Sequence, residues 1–239
     1  MKQERKIKNN PVLYRVLRPV FTGLMHLVFR PKIIGKEHIP KEGAAVIAGN
    51  HKHGLDPILV DISTKRTVHA LGKRDLHDGP FGFLFRGVGT IPVDFSKNRN
   101  HDALATAQEM LREGILINVS PEGERNYSDE LLLPFKYGAV AMAVRTPCEI
   151  VPYAITGRYI PFFGRPSIRF GEPLKVGGMK IEQANELLYN SIAALLKEGM
   201  TEEEYKAKIV HPYRGRKRAA EIKEQTEQEG HDAGGEAGH

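Results

Sequence analysis

Seven short runs of aliphatic and β-branched residues punctuate the chain: KIIG (32–35), AAVIAG (44–49), TVHAL (67–71), TIPV (90–93), ILINV (115–119), EIVPYAI (149–155) and SIRF (167–170). A strand with one wet face would alternate apolar and polar residues; these are apolar almost throughout, as strands covered on both faces are. Helical patterns occupy the intervals at about 57–64, 80–87, 101–113, 136–145, 182–197 and 202–209. The alternation predicts an α/β domain with a largely parallel mixed sheet flanked by helices. No repeat or internal linker divides it, and 41% hydrophobic residues in 239 suffice for a packed core. The expected organisation is an amphipathic arm over 1–32, one domain over 33–210, and a charged tail over 211–239. The tail's RGRKR, EIKEQTEQEG and DAGGEAGH segments hold too little apolar surface to order themselves.

The single cysteine excludes a disulfide framework and a thiolate zinc site, and Cys148, within CEIVPYAI, reads as a buried inert thiol. The formal charge of +6 is localised: residues 1–32 carry eight bases and one acid, whereas 33–210 carry 22 of each. A nucleic-acid binder would bear its basic stripe on the folded domain, so no nucleic-acid partner is expected. In the arm, Leu13, Leu17, Val20, Leu24, Leu27 and Val28 recur at helical spacing, with Arg15, Arg18, Thr22, His26 and Arg30 opposite. Pro19 is expected to divide the arm into two short helices. The longest uncharged stretch, 19–29, falls short of the roughly 18 residues of a spanning helix, and no small-residue cleavage site follows it. Two placements remain: the stripe docks on the protein's own core, or it lies in the interface of an anionic membrane, which the charge asymmetry favours.

The run AAVIAG leads directly into Asn50-His51-Lys52-His53-Gly54-Leu55-Asp56-Pro57. In an open α/β sheet, ligands bind beyond the carboxyl ends of strands, which makes this His-bearing loop a candidate site. Asp56-Pro57 also reads as a helix start, with Asp at the N-cap and Pro at the first helical position. On a regular helix His51 and Asp56 would point about 140° apart, so they meet only if the segment folds back, a turn that Gly54 can ease. Once together, Asp56 can hold one imidazole nitrogen and leave the other as a general base. A zinc-dependent hydrolase on His51, His53 and Asp56 is a weaker alternative.

Further polar segments follow other strands: ALGKRDL (70–76), GTIPVD (89–94) and VSPEGER (119–125). With PFKYGAVAMA (134–143) and IVPYAI (150–155), they resemble in order and spacing the signature blocks of the glycerolipid acyltransferase family, most nearly the bacterial enzymes that acylate 1-acyl-sn-glycerol-3-phosphate. The resemblance covers roughly 30–175 and implies that His51 is the base and Asp56 its partner. Asn50, Lys73, Glu122, Gly123 and Arg125 would belong to the pocket for a phosphorylated acceptor, with Glu122 holding Arg125 or a main-chain amide. It further implies transfer of a fatty acyl chain from acyl-ACP or acyl-CoA to the sn-2 hydroxyl, giving phosphatidic acid in phospholipid biosynthesis at the cytoplasmic face of the cell membrane. No cofactor, metal or acyl-enzyme is implied, and Ser120 is a loop hydroxyl. Two positions depart from the family: His53 replaces a small hydroxyl residue, and Phe95 replaces an arginine. Lys97 or Arg99 can supply the missing cation; otherwise the acceptor is another lysolipid, or the chain is a non-catalytic lipid-binding relative.

Overall fold

The computed structural model describes residues 12–80, 82–94, 100–146 and 148–213. All seven expected strands form: β1 (Lys32–Ile34), β2 (Ala45–Gly49), β3 (Val68–Lys73), β4 (Ile91–Val93), β5 (Leu116–Val119), β6 (Glu149–Thr156) and β7 (Ser167–Phe170). Among the described residues they make one sheet in the order β1-β7-β6-β2-β5-β3-β4, in which only β6 and β7 pair antiparallel. Strands β2 to β6 therefore end on one edge, while β7 runs back and β1 begins at that edge.

Alternate residues of each central strand face two different layers. Val46, Ala48, Ile117 and Ile150 pack under α5 (His101–Arg112), α6 (Gly138–Val144) and α7 (Ile181–Gly199). Ala45, Ile47, Val151 and Ile155 pack under α1 (Val12–Phe29) and α2 (Asp56–Ser63). Double coverage is why these strands read as unbroken apolar runs. The helix expected over 80–87 forms as α4 (Gly82–Gly87), and a further short helix, α3 (Arg74–Asp78), precedes it, the two separated where Gly79-Pro80 interrupts the backbone. The closing α8 (Glu202–Lys206) carries a Thr201/Glu204 capping box.

Four expectations need correction. The arm is one continuous helix despite Pro19, since Tyr14 and Met25, buried on either side of the proline, fix both halves to the body. At 18 residues and a mean hydropathy of 1.3 it is long and apolar enough to cross a membrane, contrary to the sequence expectation: Arg15 and Arg18 interrupt the apolar run but not the helix. Its orientation also differs. Arg18, assigned to the solvated side, faces the body and donates to the carbonyls of Asp61 (3.2 Å) and Lys65 (3.3 Å) at the carboxyl end of α2, while the Tyr14 hydroxyl bonds Asp61 Oδ1. Val12, Val16, Val20, Leu24 and Leu27 are left exposed. Lastly, the folded body continues past 210: the Tyr213 ring packs edge-on to Tyr189, and its hydroxyl donates to Glu182 at 2.8 Å and accepts from Asn185. Residues 214–239, the rest of the expected tail, lie outside the described residues.

Arg18→Ala removes the donor shared by two carbonyls at a helix end and should cost roughly 1–2 kcal/mol in chemical denaturation, with faster proteolytic release of α1.

Candidate active site

Strand β2 carries the chain to the sheet's carboxyl edge, where the 50–56 segment folds back on itself. Asp56 N donates to the His53 carbonyl at 3.1 Å, and Asp56 Oδ2 accepts from Lys52 N and His53 N, both at 2.8 Å. The carboxylate closes the turn. Gly54, expected to ease it, makes no close approach and has no left-handed φ. Nor does Asp56 cap its own helix: it opens α2, with Pro57 beside it, but all its bonds run upstream or across to the loop after β6.

Within this turn His51 Nδ1 lies 2.9 Å from Asp56 Oδ2. The carboxylate only accepts, so Nδ1 carries the hydrogen and Nε2 keeps its lone pair. The His51 side chain is 26% exposed and Asp56 1% exposed, a reachable base on a dry partner. The His51 main chain is fixed from both directions: its N–H donates to Glu122 Oε1 at 2.9 Å, and its carbonyl accepts from Asn126 N at 2.7 Å. Glu122 Oε2 accepts from Leu133 N at 2.9 Å, which ties the 120–126 loop to the segment after it. Burial pushes the Glu122 carboxyl up to about 7, against the two amide bonds that favour its charged form.

A residue that the sequence reading missed completes the dyad. The Tyr159 hydroxyl donates to Asp56 Oδ1 at 2.8 Å, and its ring stacks on His53 at 4.5 Å. Burial and the Asp56 charge hold its proton on far above the ordinary phenol range, so it remains a donor. The signal was available: Tyr159 follows β6 at the same carboxyl edge that singled out the loops after β2 and β5. Lys52 fixes that loop by donating to the Gly157 carbonyl at 2.6 Å.

The remaining expected residues fall into two groups. Asn50 and Glu122 brace the frame. Asn50 spends its amide on Ile155, accepting from its N–H at 2.7 Å and donating to its carbonyl at 3.0 Å, and buried Glu122 holds main-chain amides, not Arg125. Gly123 has φ +76°, a conformation that favours glycine, with the Lys136 side chain lying over it. Arg125 and Lys73 are exposed at the same edge. Arg125 lies over the Tyr127 ring, and Lys73 pairs with Asp75 at 2.7 Å. Lys97, Arg99 and Phe95 lie outside the described residues.

Two other chemistries find no support. His53 accepts from Leu55 N and stacks on Tyr159, so it does not join His51 and Asp56, and no metal-holding cluster of His, Cys, Asp or Glu occurs among the described residues. Ser120 Oγ is buried with no partner, and hence no base to activate it; the Cys148 thiol is buried and its pKa raised by that burial.

The chain has counterparts in both sequence and fold. Residues 30–156 match the family model described as Acyltransferase, and the chain belongs to that family. It is 30% identical over 165 residues to mouse 1-acyl-sn-glycerol-3-phosphate acyltransferase alpha, covering 66% of this chain and 56% of that protein. Against the Bacillus subtilis 1-acyl-sn-glycerol-3-phosphate acyltransferase, identity is 27% over 156 residues, covering 64% of this chain and 75% of the relative. The chain thus spans little more than half the length of the mouse relative. It shares its fold with the crystal structure of the Thermotoga maritima 1-acyl-sn-glycerophosphate acyltransferase PlsC, at a TM-score of 0.60 and 23% identity over 78% of this chain and 77% of that one.

A carboxyl whose pKa rises on folding binds its proton more tightly in the folded chain, so stability should fall as pH rises from the ordinary 4.5 of Glu122 through about 7. Glu122→Gln should flatten that slope. Measured by urea denaturation, the stability difference between the two proteins should move in the variant's favour by about 1–3 kcal/mol between pH 4.5 and 8. Asp61, also raised to about 7 by burial, is common to both and cancels.

Proposed function

We propose that the protein transfers a fatty acyl chain from a thioester donor, acyl-ACP or acyl-CoA, to the sn-2 hydroxyl of 1-acyl-sn-glycerol-3-phosphate, giving phosphatidic acid. The observation that carries this reading is the His51–Asp56 pair at 2.9 Å, with Nε2 of a partly exposed imidazole left free. Nε2 takes the proton of the acceptor hydroxyl as its oxygen attacks the thioester carbonyl. The tetrahedral intermediate then collapses, the carbon–sulfur bond breaks, and the departing thiolate takes the proton back from His51. The imidazolium formed in between faces Asp56, whose charge stabilises it. The acyl group passes directly between substrates, so neither Ser120 nor Cys148 is needed as a nucleophile.

The acceptor phosphate requires cations at the sheet edge. Arg125 offers a guanidinium with no ion pair among the described residues, on the loop that grips His51 through Asn126, and Lys73 ends β3 on the same edge. Both substrate and product are membrane lipids. The apolar stripe that α1 turns outward fits a helix lying in the bilayer interface, and the net positive charge of 1–32 favours an anionic surface. The thioester donors are cytoplasmic, which makes the cytoplasmic face the working side.

His51→Ala should lower turnover by about 100- to 10,000-fold with the circular dichroism unchanged; near-normal turnover by the folded variant would overturn the reading. Tyr159→Phe should lower kcat about tenfold, the loss of one donor to Asp56, and leave the acceptor KM nearly constant. Arg125→Ala should instead raise the acceptor KM at least several-fold and spare the donor KM. Leu24→Ser with Leu27→Ser, both on the outward stripe, should weaken sedimentation with anionic vesicles without altering stability.

A further inference from the structure

The loop between β6 and β7, residues 157–166, does two unlike things. Its stem sends Tyr159 inward to Asp56, while its tip turns Ile160, Phe162 and Phe163 outward at 43, 58 and 91% exposure. The tip is held rigidly. Phe162 N donates to the Val28 carbonyl at 2.8 Å in the last turn of α1, and Gly164 N closes onto the Ile160 carbonyl at 2.6 Å. Gly164 is packed so closely that a Cβ there would lie 2.3 Å from the Arg158 carbonyl oxygen. Phe162 at φ +63° and Arg30 at φ +45° are the only non-glycine residues with positive φ among the described residues, and the Arg30 guanidinium donates to the Phe162 carbonyl at 2.6 Å. Such strain is retained where the surrounding structure imposes it, often at functional sites. Here it presents two phenylalanines to solvent, which folding alone would not favour.

Behind the tip is a cleft of about 350 Å³ lined by Arg30, Phe163, Gly164 and Arg165. Arg165 Nε donates to the Arg30 carbonyl at 3.1 Å, so the two side chains flank one opening, and neither pairs with a carboxylate among the described residues. The sequence around the cleft supplies cations only: 157–171 and 12–36 contain no Asp or Glu. An apolar wedge with unpaired guanidinium groups behind it is complementary to a bilayer surface, where acyl chains lie beneath phosphates. We propose that the 160–163 tip inserts into the membrane and that the Arg30–Arg165 cleft takes the phosphate of an anionic phospholipid, docking the sheet's carboxyl edge, and with it His51, against the bilayer. The inference deepens the reading of a membrane-borne acceptor and rests on it. It adds a second contact to that of the α1 stripe, one covalently continuous with the loop that positions Asp56.

The chain contains no tryptophan, so Phe163→Trp gives a single reporter at an exposed position. Its emission should shift to the blue on adding phosphatidylglycerol vesicles; an unshifted spectrum with protein sedimented on those vesicles overturns the wedge. Phe162→Ser with Phe163→Ser should weaken vesicle partitioning about tenfold and lower activity on vesicle-borne lysolipid, while activity on a short-chain soluble acceptor stays unchanged. Arg30→Gln with Arg165→Gln should reduce the preference for phosphatidylglycerol over phosphatidylcholine vesicles by roughly tenfold. Lys32→Gln with Arg158→Gln removes the same charge beside the cleft and should have a clearly smaller effect; an equal effect overturns the cleft as a phosphate site. Absence of acyl transfer by the unmodified protein to any soluble lysolipid would instead count against the acyltransferase reading, and leaves the fluorescence and partitioning results to decide the wedge.

Discussion

The geometry of the candidate site hangs on the buried carboxylate of Asp56. Removed from water, an isolated carboxylate would cost several kcal/mol, and here four donors replace the lost hydration: the His51 ring, the amides of Lys52 and His53, and the Tyr159 hydroxyl. Those donors come from the turn after β2 and the loop after β6. Satisfying one charge therefore fixes the imidazole, folds the 50–56 turn and draws a second loop to the site. A geometry held so completely is preorganised.

His51 is secured by a second, separate set of bonds through its main chain. Glu122 and Asn126 grip the His51 N–H and carbonyl from the loop after β5, and Asn50 locks the end of β2 to β6. Three adjacent parallel strands, β6, β2 and β5, thus each contribute to one residue. Because β7 returns antiparallel and β1 pairs with it, the end of α1 arrives at the same edge, where Phe29 packs against Tyr159 with ring centroids 5.8 Å apart. The topology joins the outward apolar helix to the loop that bonds Asp56, with no domain between them.

Much of this was legible in the sequence because it is written in local patterns. Seven strands were readable because double-sided burial demands unbroken apolar runs, and the loop bearing His51 and Asp56 was a candidate site because it follows a strand directly. The errors share one cause. Arg18 looked solvated because charge usually is, yet it satisfies carbonyls at the end of α2; Pro19 looked like a break, yet docking of Tyr14 and Met25 outweighs one missing amide bond. Asn50 was assigned to the substrate pocket, whereas its amide is spent on the main chain of Ile155, 105 residues away; Glu122 takes the main-chain-amide role of the two expected for it, on a partner 71 residues away.

By itself the sequence determined the α/β class and the strand set, since hydrophobic period sets these within a few residues, while the pairing of His51 with Asp56 was implied by the family resemblance. Only the tertiary structure decided which donors complete Asp56, which face of α1 is turned outward, and which cations remain unpaired. Hydrogen-bond satisfaction of a buried charge is a matter of distances in space: the sequence could place Tyr159 at the carboxyl edge after β6, but not in its 2.8 Å contact with Asp56, 103 residues away.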